Sequence, residues 1–83
     1  MDYELTQHAR DVLVERLISI QWIEHVLKEP EKTESDKEDS QLRHFLAKIE
    51  QYDNRVLRVV VNIHASPVKI VTVYFDRKLK GKL

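Results

Sequence analysis

The sequence predicts an α+β fold in which two N-terminal helices pack on a three- to four-stranded antiparallel sheet. Two observations support this prediction. Helical periodicity occupies the first third of the chain, and β-branched segments separated by turn signals occupy the second half. Helices followed by strands are typical of α+β domains. The 83 residues are enough for a single small domain, residues 1–83.

Two short helices are expected before Pro30. Apolar side chains recur at helical spacing within residues 6–17, and Thr6 is suited to cap the amino terminus of this helix. Ser19 can cap a second helix, which Pro30 ends because the residue before a proline disfavours the α region. The inner side of the second helix carries Ile20, Ile23, Val26 and Leu27, with Trp22 beside them.

The strands are expected after residue 30. Residues 29–40 are almost wholly polar, which predicts an exposed loop with one short edge strand near residues 32–35. Residues 41–51 fit either a helix or a strand. A strand there would complete a meander centred on residues 55–63, with residues 68–75 as the last strand. The turn signals between strands are Asp53-Asn54 and Ala65-Ser66-Pro67.

One face of the predicted sheet must cover the helices. Alternation along the strands assigns to it Phe45, Ala47, Ile49, Leu57, Val59, Val61, Val71, Val73 and Phe75. The opposite face then carries His44, Lys48, Arg58, Asn62, Thr72 and Tyr74. Because this second face is polar and basic and has no predicted second layer, it is the expected functional surface.

The net charge of zero hides an asymmetry between the two halves of the chain. Residues 1–40 carry five Lys/Arg and eleven Asp/Glu, a net charge of −6, whereas residues 41–83 carry nine and three, a net charge of +6. Such a division fits a surface that faces a polyanion. It fits equally two solvated regions that attract each other and hold the halves together.

Several classes of site are excluded by composition. The chain has no cysteine, so it lacks a disulfide, a thiolate zinc site and a thiol nucleophile. Its four histidines lack metal-ligand spacing, and its single glycine, Gly81, excludes a glycine-rich phosphate loop. We therefore expect no metal and no cofactor. No apolar run is long enough for a membrane span and no signal-peptide pattern is present, which favours a cytoplasmic location.

The polar sheet face offers groups suited to RNA. Arginine and lysine neutralise phosphates, and an aromatic ring can stack on a base. Ribonucleolytic cleavage needs a base for the ribose 2′-hydroxyl, a cation for the phosphate and an acid for the leaving oxygen. The candidates for these roles on the face are His44, Lys48, Arg58 and Tyr74.

Several short motifs together resemble one family. His8-Ala9-Arg10, Glu15-Arg16 and Ile18-Ser19 resemble the opening "HAR…ER.IS" of a widespread, uncharacterised bacterial domain family. Val71-Thr72-Val73-Tyr74, followed by Asp76-Arg77, agrees with the end of the same family. That family is similar in layout to the RelE/ParE and BrnT-type toxins, whose RelE-type members cleave mRNA with basic residues and a late tyrosine on the sheet.

The resemblance implies roles for particular residues. Arg58 matches a phosphate-binding arginine and Tyr74 a late aromatic, and together with His44 from the polar face they form the expected catalytic set. The resemblance adds Arg43, Arg55 and Arg77 to Lys48 of the polar face as residues expected to bind RNA, and His8 follows from the opening motif. The overall neutrality of the chain departs from the strongly basic character of RelE-type toxins.

Two functions therefore remain open. The first is a toxin-type endoribonuclease of a toxin–antitoxin module, with RNA as substrate and an antitoxin-like protein as partner. The second is a non-catalytic interaction module that binds a protein by strand addition. Convergence of Arg58, Tyr74 and a histidine within hydrogen-bond reach would favour the first.

Overall fold

The structure is a computed structural model that describes residues 2–83. Two helices lie among five strands in the chain order β1 (Tyr3–Leu5), α1 (Gln7–Arg16), α2 (Ile20–Lys28), β2 (Lys32–Ser35), β3 (Leu42–Ile49), β4 (Arg55–Asn62) and β5 (Val68–Phe75). Short 3₁₀ turns follow β3 and β5, at Glu50–Tyr52 and Arg77–Leu79. Neither helix is long and apolar enough to span a bilayer.

Both helices begin at the predicted caps. Thr6 Oγ1 accepts a hydrogen bond from the Ala9 backbone N–H at 3.1 Å, and Ser19 Oγ accepts one from Gln21 at 3.1 Å. Each bond satisfies a backbone donor that the first helical turn leaves free. α1 ends at Leu17, whose φ of 55° lies in the left-handed region.

The sheet is larger than predicted and is mixed rather than antiparallel. Its five strands follow the order β1-β5-β4-β3-β2, and β1 pairs parallel to β5, with Tyr3 opposite Val68. The sequence did not reveal β1 because three residues are too short for alternation to be recognised. Residues 42–49 are a strand, since β3 pairs with β2 on one edge and β4 on the other.

The helices cover one face of the sheet, and a β-bulge changes one of the predicted core positions. Val60 pairs with Thr72 whereas Val61 pairs with Ile70, so Val71 is an extra residue in β5. Ile70 is therefore fully buried in the core, and Val71, which alternation had placed there, is only half-buried. The remaining predicted sheet positions pack in or against this core.

The opposite face is not bare, which corrects the expectation of an open layer. Leu46, Val56 and Val60 point away from the helix-facing core and are nevertheless at most 4% exposed. The carboxyl-terminal tail covers part of this face, because Gly81 and Leu83 line a small cleft together with Val56. The polar groups of the face are thus set into a partly apolar surface.

Candidate functional site

Arg58 lies at the centre of the polar face, which we call the network face. It is in the middle of β4 and is only 8% exposed. Its Nη1 donates to Glu34 Oε1 at 2.5 Å, while Nε and Nη2 donate to Asp76 Oδ2 at 3.2 and 2.8 Å. Two carboxylates therefore compensate one nearly buried guanidinium, as burial of a charge requires.

His44 is held between Arg58 and Asp36. Its Nδ1 lies 2.8 Å from Arg58 Nη1, and its Nε2 lies 2.7 Å from Asp36 Oδ1. Because a guanidinium can only donate, Nδ1 acts as the acceptor, and this network places the proton on Nε2, which donates to Asp36. The hydrogen bond from His44 lowers the pKa of Asp36, assisted by the backbone N–H groups of Asp39 and Glu38.

A single acidic segment, residues 31–36, binds the basic residues of the network face. Glu34 pairs with Arg58 and Asp36 with His44, as described above, and Glu31 Oε1 lies 2.9 Å from Lys48 Nζ. Acidic residues of the first half of the chain thus contact basic residues of the second half.

These contacts lower the pKa values of the acidic groups. The pKa of Glu31 is lowered first by the backbone N–H of Lys48 and then by its ammonium. The hydrogen bond from Arg58 lowers the pKa of Glu34. For Asp76, burial acts to raise the pKa, but the bonds from Arg58 and the Lys78 backbone outweigh it and the pKa is lowered. All three carboxylates are therefore stabilised in the charged form.

Tyr74 is the direct cross-strand partner of Arg58 and shares its face. Within residues 2–83 its hydroxyl makes no hydrogen bond, so the phenol is available to a ligand. His8 reaches the rim of the same face from α1, since its Nε2 lies 3.2 Å from Thr72 Oγ1. The structure thus brings four predicted residues to one face as neighbours of Arg58 or at its rim: His8, His44, Lys48 and Tyr74.

The predicted RNA-binding arginines do not join this face. Side chains alternate between the two faces of a strand, and Arg43 and Arg55 alternate in step with the core residues. They therefore lie on the helix-facing side. Arg43 donates to Ser35 Oγ and Thr33 Oγ1, at 3.2 and 3.1 Å. Arg77 lies in the 3₁₀ turn after β5. The alternation of side chains along β3 and β4 is the sequence signal that places these arginines on the opposite face from Arg58.

The carboxylates of the network were missed from the sequence. Glu31, Glu34 and Asp36 lie in a segment that looks like a solvated loop, and Asp76 follows the last strand. Only their contacts reveal their role, although the opposite charges of the two halves were a hint. No group of three His, Asp or Glu side chains suited to a metal ion occurs in residues 2–83.

The fold and site define a small α+β domain that carries an internally neutralised Arg–His–carboxylate network on the sheet face away from its helices. The chain belongs to the family described as a domain of unknown function, DUF4258, whose sequence pattern matches residues 5–75. This confirms the resemblance to an uncharacterised domain family. No curated protein and no solved structure matches the chain.

Proposed function

We propose that this domain is a RelE-like endoribonuclease of a toxin–antitoxin module, acting in the cytoplasm and binding RNA on the network face. The observation that carries the proposal is the position of Arg58, which is 2.8 Å from His44 Nδ1 and directly across the strand pair from Tyr74. An imidazole, a cation and a free phenol can supply the base, the phosphate-stabilising charge and the acid that ribonucleolytic cleavage requires.

The reaction would use these groups in defined roles. The ribose 2′-oxygen attacks the adjacent phosphorus and loses its proton to His44 Nδ1, while Asp36 stabilises the resulting imidazolium through Nε2. Arg58 stabilises the charge that develops on the phosphate, and Tyr74 donates a proton to the leaving 5′-oxygen. The P–O5′ bond breaks as the P–O2′ bond forms, giving a 2′,3′-cyclic phosphate and a 5′-hydroxyl.

Substrate binding has to replace one internal carboxylate. Glu34 is the exchangeable partner of Arg58, because its side chain is 39% exposed whereas that of Asp76 is 15% exposed. A phosphate that takes the place of Glu34 would accept from Nη1 and release the Nδ1 lone pair of His44. Asp76 would continue to hold the other edge of the guanidinium, which makes it a positioning residue.

The test is cleavage of a single-stranded RNA by the purified protein at low salt. Tyr74→Phe removes only the hydroxyl, and we expect it to reduce cleavage by ~100-fold or more. Arg58→Ala should abolish cleavage, while Arg43→Ala on the opposite face should leave it within about twofold. Circular dichroism checks that each variant is folded. Cleavage that survives both Arg58→Ala and Tyr74→Phe rules the proposal out.

The second candidate function is a non-catalytic interaction module. It is favoured by the complete pairing of Lys48, Arg58 and His44 with Glu31, Glu34 and Asp36, since a structural network has no need of a free cation. The outer edge of β2 ends the sheet and could accept an antitoxin-like strand. A wild-type protein that neither cleaves nor binds RNA at low salt, but co-purifies with a small partner protein, would support this function.

A further inference from the structure

A second charged site lies beside the network face, with which it shares Asp76. It is a cleft of about 470 Å³. Its lining residues are Arg16, Tyr52, Arg55, Phe75, Asp76, Arg77 and Lys80. Four cationic side chains and one carboxylate therefore meet in one concave surface, which we call the arginine cleft.

The three arginines of this cleft differ from Arg58 in forming no ion pair. The fourth cation, Lys80, is paired with Asp53, whose pKa is lowered first by Lys80 and also by the charge of Arg55. Within residues 2–83, no carboxylate lies within ion-pair distance of Arg16, Arg55 or Arg77. They come from three separate elements: the end of α1, the start of β4 and the turn after β5. Asp76, the only carboxylate of the lining, is already bonded to Arg58. The cleft thus has a net positive charge that would attract an anion.

One of these arginines is already arranged for stacking. The Cζ atom of Arg55 lies 4.5 Å from the centroid of the Tyr52 ring, and its Nη1 lies 3.2 Å from the Tyr52 hydroxyl. Tyr52 in turn stacks on Trp22, with a centroid distance of 5.5 Å and an angle of 19° between the rings. The guanidinium of Arg55 therefore lies against an aromatic ring that is itself held by stacking. A guanidinium plane also stacks readily on nucleic-acid bases.

The geometry points to the arginine cleft as a binding site for a nucleoside phosphate, either a free nucleotide or one nucleotide of a single-stranded RNA. The base would stack on Arg55, and the phosphate would bind Arg16 and Arg77. An arginine suits both tasks, since its fork matches phosphate oxygens and its plane matches a base. The inference does not depend on cleavage at the network face and goes beyond the proposed function.

The test measures binding of four probes at low salt: AMP, adenosine, inorganic phosphate and hexa-adenylate RNA. The single tryptophan, Trp22, supplies a fluorescence signal next to the cleft. We expect AMP to bind at least ~10-fold more tightly than adenosine or phosphate, because both parts of the ligand contribute. Hexa-adenylate binding that is well above AMP and is weakened by Arg55→Ala identifies RNA as the ligand of the cleft, and comparable binding identifies a free nucleotide.

Matched variants locate the site. Arg55→Ala and Arg77→Ala should each weaken AMP binding by ~10-fold, whereas Arg10→Ala removes the same charge from an exposed position on α1 and should change it less than about twofold. Tyr74→Phe should leave AMP binding unchanged while removing cleavage, so failure of the two proposals can be distinguished. Equal weakening by Arg10→Ala, equal binding of phosphate and AMP, or no AMP binding overturns the inference.

Discussion

Arg58 and Asp76 are joined by two hydrogen bonds that end on the same carboxylate oxygen, from Nε at 3.2 Å and from Nη2 at 2.8 Å to Oδ2. Asp76 follows β5 directly, and its backbone N–H donates to the carbonyl of Val56 in β4 at 2.9 Å. The carboxylate of Asp76 is therefore held in place at the end of β5 and neutralises the charge of Arg58 in the middle of the neighbouring strand, β4.

Asp76→Ala should destabilise the domain by about 3 kcal/mol, because it leaves the nearly buried guanidinium of Arg58 with Glu34 as its one remaining carboxylate. Urea unfolding measures the change. Lys80→Ala is the control, since it removes an ion pair with Asp53 that is largely exposed, and it should cost less than about 1 kcal/mol. Similar costs for the two variants would contradict a structural role for the Arg58–Asp76 pair.

Acid should destabilise the protein. The folded state lowers the pKa values of Glu31, Glu34, Asp36, Asp53 and Asp76 below their ordinary values of about 4. As the pH falls, the carboxylates of the unfolded chain therefore bind protons at a higher pH than those of the folded protein.

This linkage stabilises the fold above the unfolded pKa values, and the stabilisation is lost as the pH falls through the folded ones. The urea midpoint should accordingly decrease from about pH 5 to about pH 2. Asp76→Asn removes one titrating group and should make this decrease shallower. A midpoint that does not change over this range would contradict the assignment.

The β-bulge in β5 predicts unequal effects of two neighbouring substitutions. Ile70→Ala should cost about 3 kcal/mol because it leaves a cavity in the core, whereas Val71→Ala should cost about 1 kcal/mol. Urea unfolding of both variants makes the comparison. If Val71→Ala proves the more damaging, the strand alternates without a bulge and the pairing of Val61 with Ile70 is wrong.

Thr6 stabilises both the start of α1 and its contact with the sheet. Its hydroxyl accepts from Ala9 N–H and donates to the Val71 carbonyl, both at 3.1 Å. Thr6→Ala should lower the free energy of unfolding by about 2 kcal/mol, while Thr6→Ser retains the hydroxyl and should lower it by less than about 1 kcal/mol. Equal losses in thermal or urea unfolding would show that the methyl group, and not the hydroxyl, is responsible.

Neutralising the acidic segment should strengthen RNA binding. The triple variant Glu31→Gln, Glu34→Gln, Asp36→Asn removes the negative charges beside Lys48, Arg58 and His44, and we expect a ~10-fold tighter complex at low salt. The control makes the same charge change at three exposed positions away from the network: Glu4→Gln, Glu15→Gln and Glu29→Gln. An equal gain in the control, measured by fluorescence anisotropy, would mean that only net charge matters.

Local signals in the sequence were sufficient for most of the secondary structure. Thr6 and Ser19 mark the helix starts and Pro30 limits the second helix, because capping and proline geometry depend on a few adjacent residues. The edge strand near residues 32–35 and the strand over residues 68–75 were predicted at their observed positions. The ambiguity at residues 41–51 was resolved only by pairing with β2 and β4.

The candidate sites needed the tertiary structure. That Arg58, His44 and Tyr74 share a face follows from strand parity, but that Glu34, Asp36 and Asp76 neutralise this face depends on contacts between residues far apart in the chain. The arginine cleft likewise joins the end of α1 to the turn after β5. Hydrophobic periodicity and caps determined the elements of this protein because they act over one or two turns. Charge pairing acts through space, so only the folded arrangement decided which cations form ion pairs with carboxylates and which do not.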